Sequence, residues 1–331
     1  MRRLIRVAGF LVLAVGVGVA LLVAVVEVLS ARTYDDVALP QVHASNDPGE
    51  IARGAYLANA VAHCPACHLP QPDAKSFDAA ARAPLVGGQQ WQLPFGTVYS
   101  ANITPSERYG IGAWSDGEIA RVIRTGVRRD GSLSVFMAFG IGDLANNDLA
   151  AIVSYLRAQV PVERPAPQSE YNFAGRAMLA LFMRPKEGSR AFQDAPRSEA
   201  SVARGRYLVH GPANCAGCHS PSRLTTGLRP QAPLLSGGVP AVDHVDPTME
   251  IVAPNLTPDP GTGAIYSWSE TDFVQRFRGG RVVAGSPMPW EAFYSMTDTD
   301  LAAVWRYLRT VDAVRHDVGP THRPLGSYAN R

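Results

Sequence analysis

The sequence lacks a surplus of charge of either sign. Its 31 Lys and Arg face 29 Asp and Glu, a formal net charge of +2. The balance holds locally: residues 48–162 carry nine basic and nine acidic side chains, and 199–314 carry nine and eleven. With no polybasic face, nucleic-acid binding is excluded. A second long apolar run is also missing. The single one, Val7 to Val26, is twenty residues without a charge, about 30 Å as a helix and enough to cross a bilayer. Arg2, Arg3 and Arg6 precede it and Glu27, Asp35 and Asp36 follow. That asymmetry predicts a cytoplasmic N-terminus with the remainder on the outer side. A cleaved signal peptide competes, but its apolar core runs about 7–15 residues and ends at an A-x-A-like site. Here the run is longer, and only Val28-Leu29-Ser30 stands in for the site. The expectation is an uncleaved anchor over residues 5–29.

Cysteine is scarce and fully committed. All four fall in two pentapeptides, Cys64-Pro65-Ala66-Cys67-His68 and Cys215-Ala216-Gly217-Cys218-His219. Each reads as a c-type haem attachment site. The two cysteines are spaced to form thioethers with one haem, and the histidine lies under its iron as the proximal ligand. A redox dithiol or a pair of disulfides leaves both histidines unexplained. A zinc ribbon separates its C-x-x-C halves by about 15–20 residues, whereas the two motifs here lie 151 apart. The prediction is two covalently bound haem c, on Cys64 and Cys67 and on Cys215 and Cys218, ligated by His68 and His219. No thiolate remains to ligate either iron.

The chain repeats itself around these motifs. Arg53-Gly54 and Tyr56-Leu57 recur 151 residues on as Arg204-Gly205 and Tyr207-Leu208. Asn102-Ile103-Thr104-Pro105 recurs as Asn255-Leu256-Thr257-Pro258, and Trp114 as Trp268. Residues 148–157 match 300–309 at seven of ten positions. Two copies of one domain follow, each with its own haem. The expected layout is anchor 5–29, tether 30–47, first domain 48–162, linker 163–198, second domain 199–314 and a polar tail 315–331 lying over the surface. Apolar spacing predicts a first helix near 49–62. A capping box at Ser115–Glu118 opens a middle helix that Gly126 stops, repeated from Ser269 to Gly279-Gly280. Asp148 and Asp300 are expected to cap the last helices, and Pro84–Asn102 to form loops around a haem edge. Gly54 and Gly205, poor choices inside a helix, predict close crossings against the helices of Tyr155 and Tyr307. Tyr171–Met183 is apolar and predicts an amphipathic turn or two.

The sixth iron ligand decides between electron carriage and chemistry. Met137 follows His68 by 69 residues, and Met288 follows His219 by 69. That equality predicts Met137 and Met288 as axial ligands, with Met249 and Met296 as alternatives in the second copy, although a lone methionine is ordinarily a core filler. Pro287 and Pro289 flank Met288, whereas Met137 has no such neighbours, so the first iron–sulfur bond is expected to be the looser. His63 and His210 are expected at the surface or as caps.

The stretches Arg53-Gly-Ala-Tyr-Leu, Gly87-Gly88, Asn102-Ile-Thr-Pro and Gly110-Ile-Gly-Ala-Trp-Ser-Asp, with Arg204-Gly-Arg-Tyr-Leu, Gly237-Gly238 and Asn255-Leu-Thr-Pro, resemble class I cytochrome c domains. The whole chain resembles the membrane-bound cytochrome c subunits of bacterial alcohol, aldehyde and gluconate-type dehydrogenases. The resemblance covers about two thirds of the chain. It departs from the pattern in having two domains where many such subunits have three, and in showing Met-Pro only at Met288. It implies a mainly α fold, two tandem class I cytochrome c domains behind one transmembrane helix. It implies a bacterial inner-membrane location with the haem domains on the periplasmic side, and places Asn102, Trp114, Asn255 and Trp268 near the haems. The function expected is electron transfer and not catalysis. Electrons would pass between a dehydrogenase or quinol-oxidising partner and a terminal oxidase or soluble cytochrome. A dihaem peroxidase with one open iron, resting on the unsupported Met137, is the alternative; a fixed structural subunit of a respiratory complex is a third.

Overall fold

The computed structural model describes residues 2–69, 83–186, 194–196 and 198–328. Parts of the expected linker (187–193 and 197) and of the tail (329–331) lie outside the described residues. Helix α1 spans Arg2–Ser30, and its stretch Arg6–Ser30 is long and apolar enough to cross a membrane. The first copy of the repeat follows. It comprises α2 (Pro48–Tyr56), continued by a π turn over Leu57–Val61, then α3 (Pro65–His68), a β1–β2 hairpin (Gln90–Leu93, Gly96–Tyr99), α4 (Asp116–Thr125), α5 (Val135–Gly140) and α6 (Asn146–Arg157). Strand β3 (Glu170–Tyr171) and α7 (Phe173–Leu181) come next. The second copy comprises α8 (Val202–His210), α9 (Cys215–His219), β4 (Pro240–Val242), β5 (Met249–Val252), α10 (Glu270–Arg278), α11 (Trp290–Tyr294) and α12 (Asp298–Leu308), closed by β6 (His322–Pro324). The class is helical, with two small antiparallel sheets among the described residues, ordered β1-β2-β3 and β4-β5-β6.

The same local devices build both copies. Ser115 caps α4 in a reciprocal box with Glu118, and Ser269 caps α10 with Asp272, each satisfying backbone donors that the first helical turn leaves open. Helix α2 crosses α6, and α8 crosses α12. At the crossings a Cβ on Gly54 would stand 1.8 Å from the Ala151 carbonyl oxygen, and one on Gly205 would stand 1.9 Å from that of Ala303. Only glycine permits this approach, as the sequence predicted. Beside each glycine an arginine reaches across the crossing: Arg53 Nε donates to Asp148 Oδ1 at 2.8 Å, and Arg204 Nε to Asp300 Oδ1 at 2.8 Å.

One apolar core runs through both copies, joining Leu57, Val61, Ile119 and Ile152 to Tyr207, Leu208, Phe273 and Leu301. The junction is reciprocal. Tyr56 donates its hydroxyl to Asp300 Oδ2 at 2.7 Å, and Tyr207 donates to Asp148 Oδ2 at 2.8 Å. Each aspartate therefore serves an arginine of its own copy and a tyrosine of the other. Burial, then the facing carboxylate, pushes the Tyr56 phenol up to about 12 and raises that of Tyr207 as well.

Several expectations change. Asp148 and Asp300 are not caps: Ala145 and Thr297 precede the helices, and both aspartates are buried one turn in. The stretch 30–47 is no free tether, because Val42 is buried and the Ala44 and Ser45 amides donate to Asp116 and Ser154. The tail carries a strand: β6 pairs with β5, and Glu250 accepts the Gly326 and Tyr328 amides. Pro84–Asn102 holds the β1–β2 hairpin rather than loop alone. The amphipathic turns expected within Tyr171–Met183 are present, as the nine-residue α7.

Candidate functional site

Each pentapeptide winds into one short helical turn. In the first copy the Cys64 amide donates to Ala58 O at 2.9 Å, and the His68 amide to Cys64 O at 2.9 Å. The turn is entered through His63 at φ +43°, and its counterpart through Asn214 at φ +48°. Residues three apart on a helical turn share a face, so Cys64 and Cys67 present their thiols together, as do Cys215 and Cys218. Burial pushes the thiols of Cys64 and Cys215 up to about 12 and that of Cys67 up to about 11, and raises Cys218. A redox dithiol works through a lowered thiol pKa, so these surroundings oppose that reading. Among the described residues no group of three or more His, Cys, Asp or Glu is placed to hold a metal ion, as a zinc site would need.

The histidines are held alike. His68 Nδ1 lies 2.8 Å from the Ala101 carbonyl oxygen, and His219 Nδ1 lies 3.0 Å from that of Pro254. A carbonyl only accepts, so Nδ1 carries the proton and Nε2 keeps a free lone pair. This is the arrangement of a metal-ligating histidine, whose second ring nitrogen is tied to a backbone carbonyl. Burial lowers both imidazole pKa values and favours the neutral ring.

The strap that supplies each carbonyl is pinned by the asparagine after it. Asn102 Nδ2 donates to Val162 O and Arg164 O, each at 2.9 Å, while its Oδ1 accepts the Thr104 amide and hydroxyl. Asn255 repeats this with Thr262, Val314 and Thr257. Both amides are fully used, so the structure gives Asn102 and Asn255 a positioning role behind the histidine. Gly87 packs on the same strap: its φ is +65°, and a Cβ there would stand 2.2 Å from the Ala101 oxygen.

Cys64, Ile103, Trp114 and Met137 from the first copy, and Cys215, Leu256, Trp268 and Met288 from the second, all pack on the common apolar core. Of the predicted site residues, Cys64, Trp114 and Met137, and Cys215, Trp268 and Met288, thus share contact with that core. The Trp114 carbonyl accepts from Arg157, which also ion-pairs with Asp116 at 2.9 Å.

The methionines are braced by different means. Met288 precedes α11, where Arg281 clamps Glu291 through Nε at 2.6 Å and Nη2 at 2.5 Å. Met137 lies on α5, whose Val135 and Ala138 pack against Met178 and Met183. Phe136 on the same helix meets Trp91 and Phe139 edge-on at 5.2 and 5.7 Å. Met137 is thus no loosely held residue. His63 and His210 are half-buried, each beside an aromatic ring. His63 meets Phe293 of the second copy edge-on at 5.9 Å, and His210 Nε2 lies 2.7 Å from the Tyr307 hydroxyl. The sequence reading also missed the Tyr–Asp cross-links; recurrence of Arg-Gly-x-Tyr and of the aspartate was the available signal.

No protein-family model matches the chain. The chain is 31% identical over 281 residues to the cytochrome c subunit of alcohol dehydrogenase (quinone) from Gluconacetobacter polyoxogenes, covering 81% of this chain and 57% of that protein. It is a homologue of bacterial cytochrome c subunits. The fructose dehydrogenase cytochrome subunit of Gluconobacter japonicus is 32% identical over 276 residues, 80% of this chain and 53% of the relative. A diheme cytochrome c-type protein of Cereibacter sphaeroides is 29% identical over 280 residues, 80% of this chain and 87% of the relative. This cytochrome c homologue spans little more than half the length of the two dehydrogenase subunits.

Proposed function

We propose that the chain is a membrane-anchored dihaem c-type cytochrome of two tandem class I domains, 48–162 and 199–314. They are joined by a linker at 163–198, connected to an anchor at 5–29 through 30–47, which packs on the first domain, and followed by a tail at 315–331. Cys64 and Cys67 attach one haem c, with His68 and Met137 as axial ligands; Cys215 and Cys218 attach the other, with His219 and Met288. The observation that carries this reading is the duplicated helical turn, each with two thiols on one face and a histidine whose Nδ1 is held by a backbone carbonyl. Haem iron supplies one-electron exchange at a potential set by its ligands and burial. The chain's own residues fix the tautomer of each histidine, exclude water through the apolar core, and hold each methionine on a braced segment. Filled axial positions suit electron transfer, and the homologues are subunits of dehydrogenases. The partner we propose is a dehydrogenase or another quinol-oxidising complex, with a terminal oxidase or soluble cytochrome as acceptor. The N-terminus is cytoplasmic and the haem domains face the periplasm. The packing of α5 on Met178 and Met183 supports a filled first iron over the alternative, a dihaem peroxidase with one open site. Redox titration of the purified chain tests the proposal: two low-spin haems, both with methionine–iron charge-transfer bands, are expected, and a high-spin component in the oxidised state contradicts it.

A further inference from the structure

Helix α7 belongs to neither copy of the repeat and has an unusual outer face. In Phe173–Leu181 the one polar side chain is Arg176, and its Nε is occupied by Glu27 of α1 at 2.9 Å. Gly175 and Met178 are buried, Met178 against Val135 and Ala138 of α5. Phe173, Ala174 and Leu181 are exposed and Ala177 is half-buried. At 100° per residue these four share one sector of the helix, and it carries no polar group. A helix resting on a soluble core ordinarily turns polar residues outward.

The location of α7 identifies what covers this face. Every residue of α1 from Arg6 to Val25 is exposed, and the first buried one is Val26, which is 1% exposed. Val26 is also where the apolar run ends and Glu27 supplies the first charge. The link between α1 and α7 is made at that level: Arg176 with Glu27, then Arg32 Nη2 donating to Ala180 O at 3.0 Å at the end of α7. With twenty residues of α1 crossing about 30 Å of hydrocarbon, α7 lies where the span leaves the bilayer.

We infer that α7 is an in-plane membrane helix, its Phe173–Ala174–Ala177–Leu181 face seated at the headgroup–acyl boundary of the leaflet from which α1 emerges. This rests on the reading of α1 as a span. Seating of this kind is driven by buried apolar area, about 5–10 Å below the headgroups. Because α7 also packs on α5, the membrane contact fixes the first copy, with Met137, next to the bilayer.

Photo-crosslinking of the full chain in phosphatidylcholine–phosphatidylglycerol vesicles tests it, with benzoylphenylalanine introduced singly at Phe173, Leu181, Val15 and Val282. The adducts are identified by mass spectrometry, and Val282 in the second copy sets the background. Phospholipid adducts at 173 and 181 well above the Val282 background, with adducts at 15, are expected. Adducts at 15 but background at 173 and 181 overturn the in-plane helix while leaving the span intact. Crosslinks from 173 or 181 to a second copy of the chain overturn it in favour of a protein contact. Background at 15 overturns the span and the inference with it.

Discussion

The two copies of the repeat hold equivalent methionines by opposite strategies. Around Met288 the constraint is local: prolines on both sides and a guanidinium–carboxylate clamp spanning ten residues, Arg281 to Glu291. Around Met137 it is remote: α5 leans on Met178 and Met183, about forty residues along the chain and outside the repeat. Rigidity delivered by tertiary packing leaves no mark in the sequence beside the residue it acts on, which is why only Met288 looked braced there. The copies also differ in how they bury charge. Arg204 is 1% exposed and Arg53 32% exposed, although both hold a fully buried aspartate.

The largest expected effect exploits that contrast. Asp300→Ala leaves the buried Arg204 with only the more distant Asp148 carboxylate, 3.9 Å away, and should cost about 3–5 kcal/mol. Asp148→Ala leaves Arg53 able to reach water and should cost less. Urea unfolding of both variants decides it; equal losses break the comparison. Next, Met178→Ala opens a cavity under α5 and should cost about 2–5 kcal/mol. It should also perturb the spectrum of the first haem alone. An unchanged first-haem spectrum would mean that α7 does not brace Met137.

The reciprocal tyrosines give a pH signature. Both phenols titrate above their unfolded value of about 10, Tyr56 at about 12 and Tyr207 also raised. Their contribution is therefore complete below pH 10 and lost as pH rises through the folded values. Hydrogen bonds to a charged group are worth about 1.5–3 kcal/mol each. Tyr56→Phe together with Tyr207→Phe should lower stability at pH 8 and flatten its decline between pH 10 and 12. A variant that declines as steeply as the parent contradicts the cross-links. The smallest effect belongs to the clamp: Glu291→Ala removes a partly exposed ion pair and should cost about 1 kcal/mol or less. It should touch only the second haem's spectrum.

What was legible in the sequence was what is encoded locally or repeated. The capping boxes need four residues, the attachment turns need five, and Gly54 and Gly205 announced their crossings because a helix interior otherwise avoids glycine. What stayed hidden depends on pairs far apart in the chain. Tyr56 and Asp300 are 244 residues apart, β6 exists only because β5 offers it an edge, and Val42 looked like tether until a core was present to bury it. The histidine–carbonyl pairs, 33 and 35 residues apart, needed the fold before Nδ1 could be assigned.

The central claim is that each helical turn attaches one haem. Intact-mass analysis of the denatured chain, with pyridine haemochrome absorbance, counts covalent haems directly. The parent should carry two, and Cys64→Ala/Cys67→Ala and Cys215→Ala/Cys218→Ala should carry one each. A parent chain with fewer than two covalent haems, or a double-alanine variant that retains both, contradicts the account.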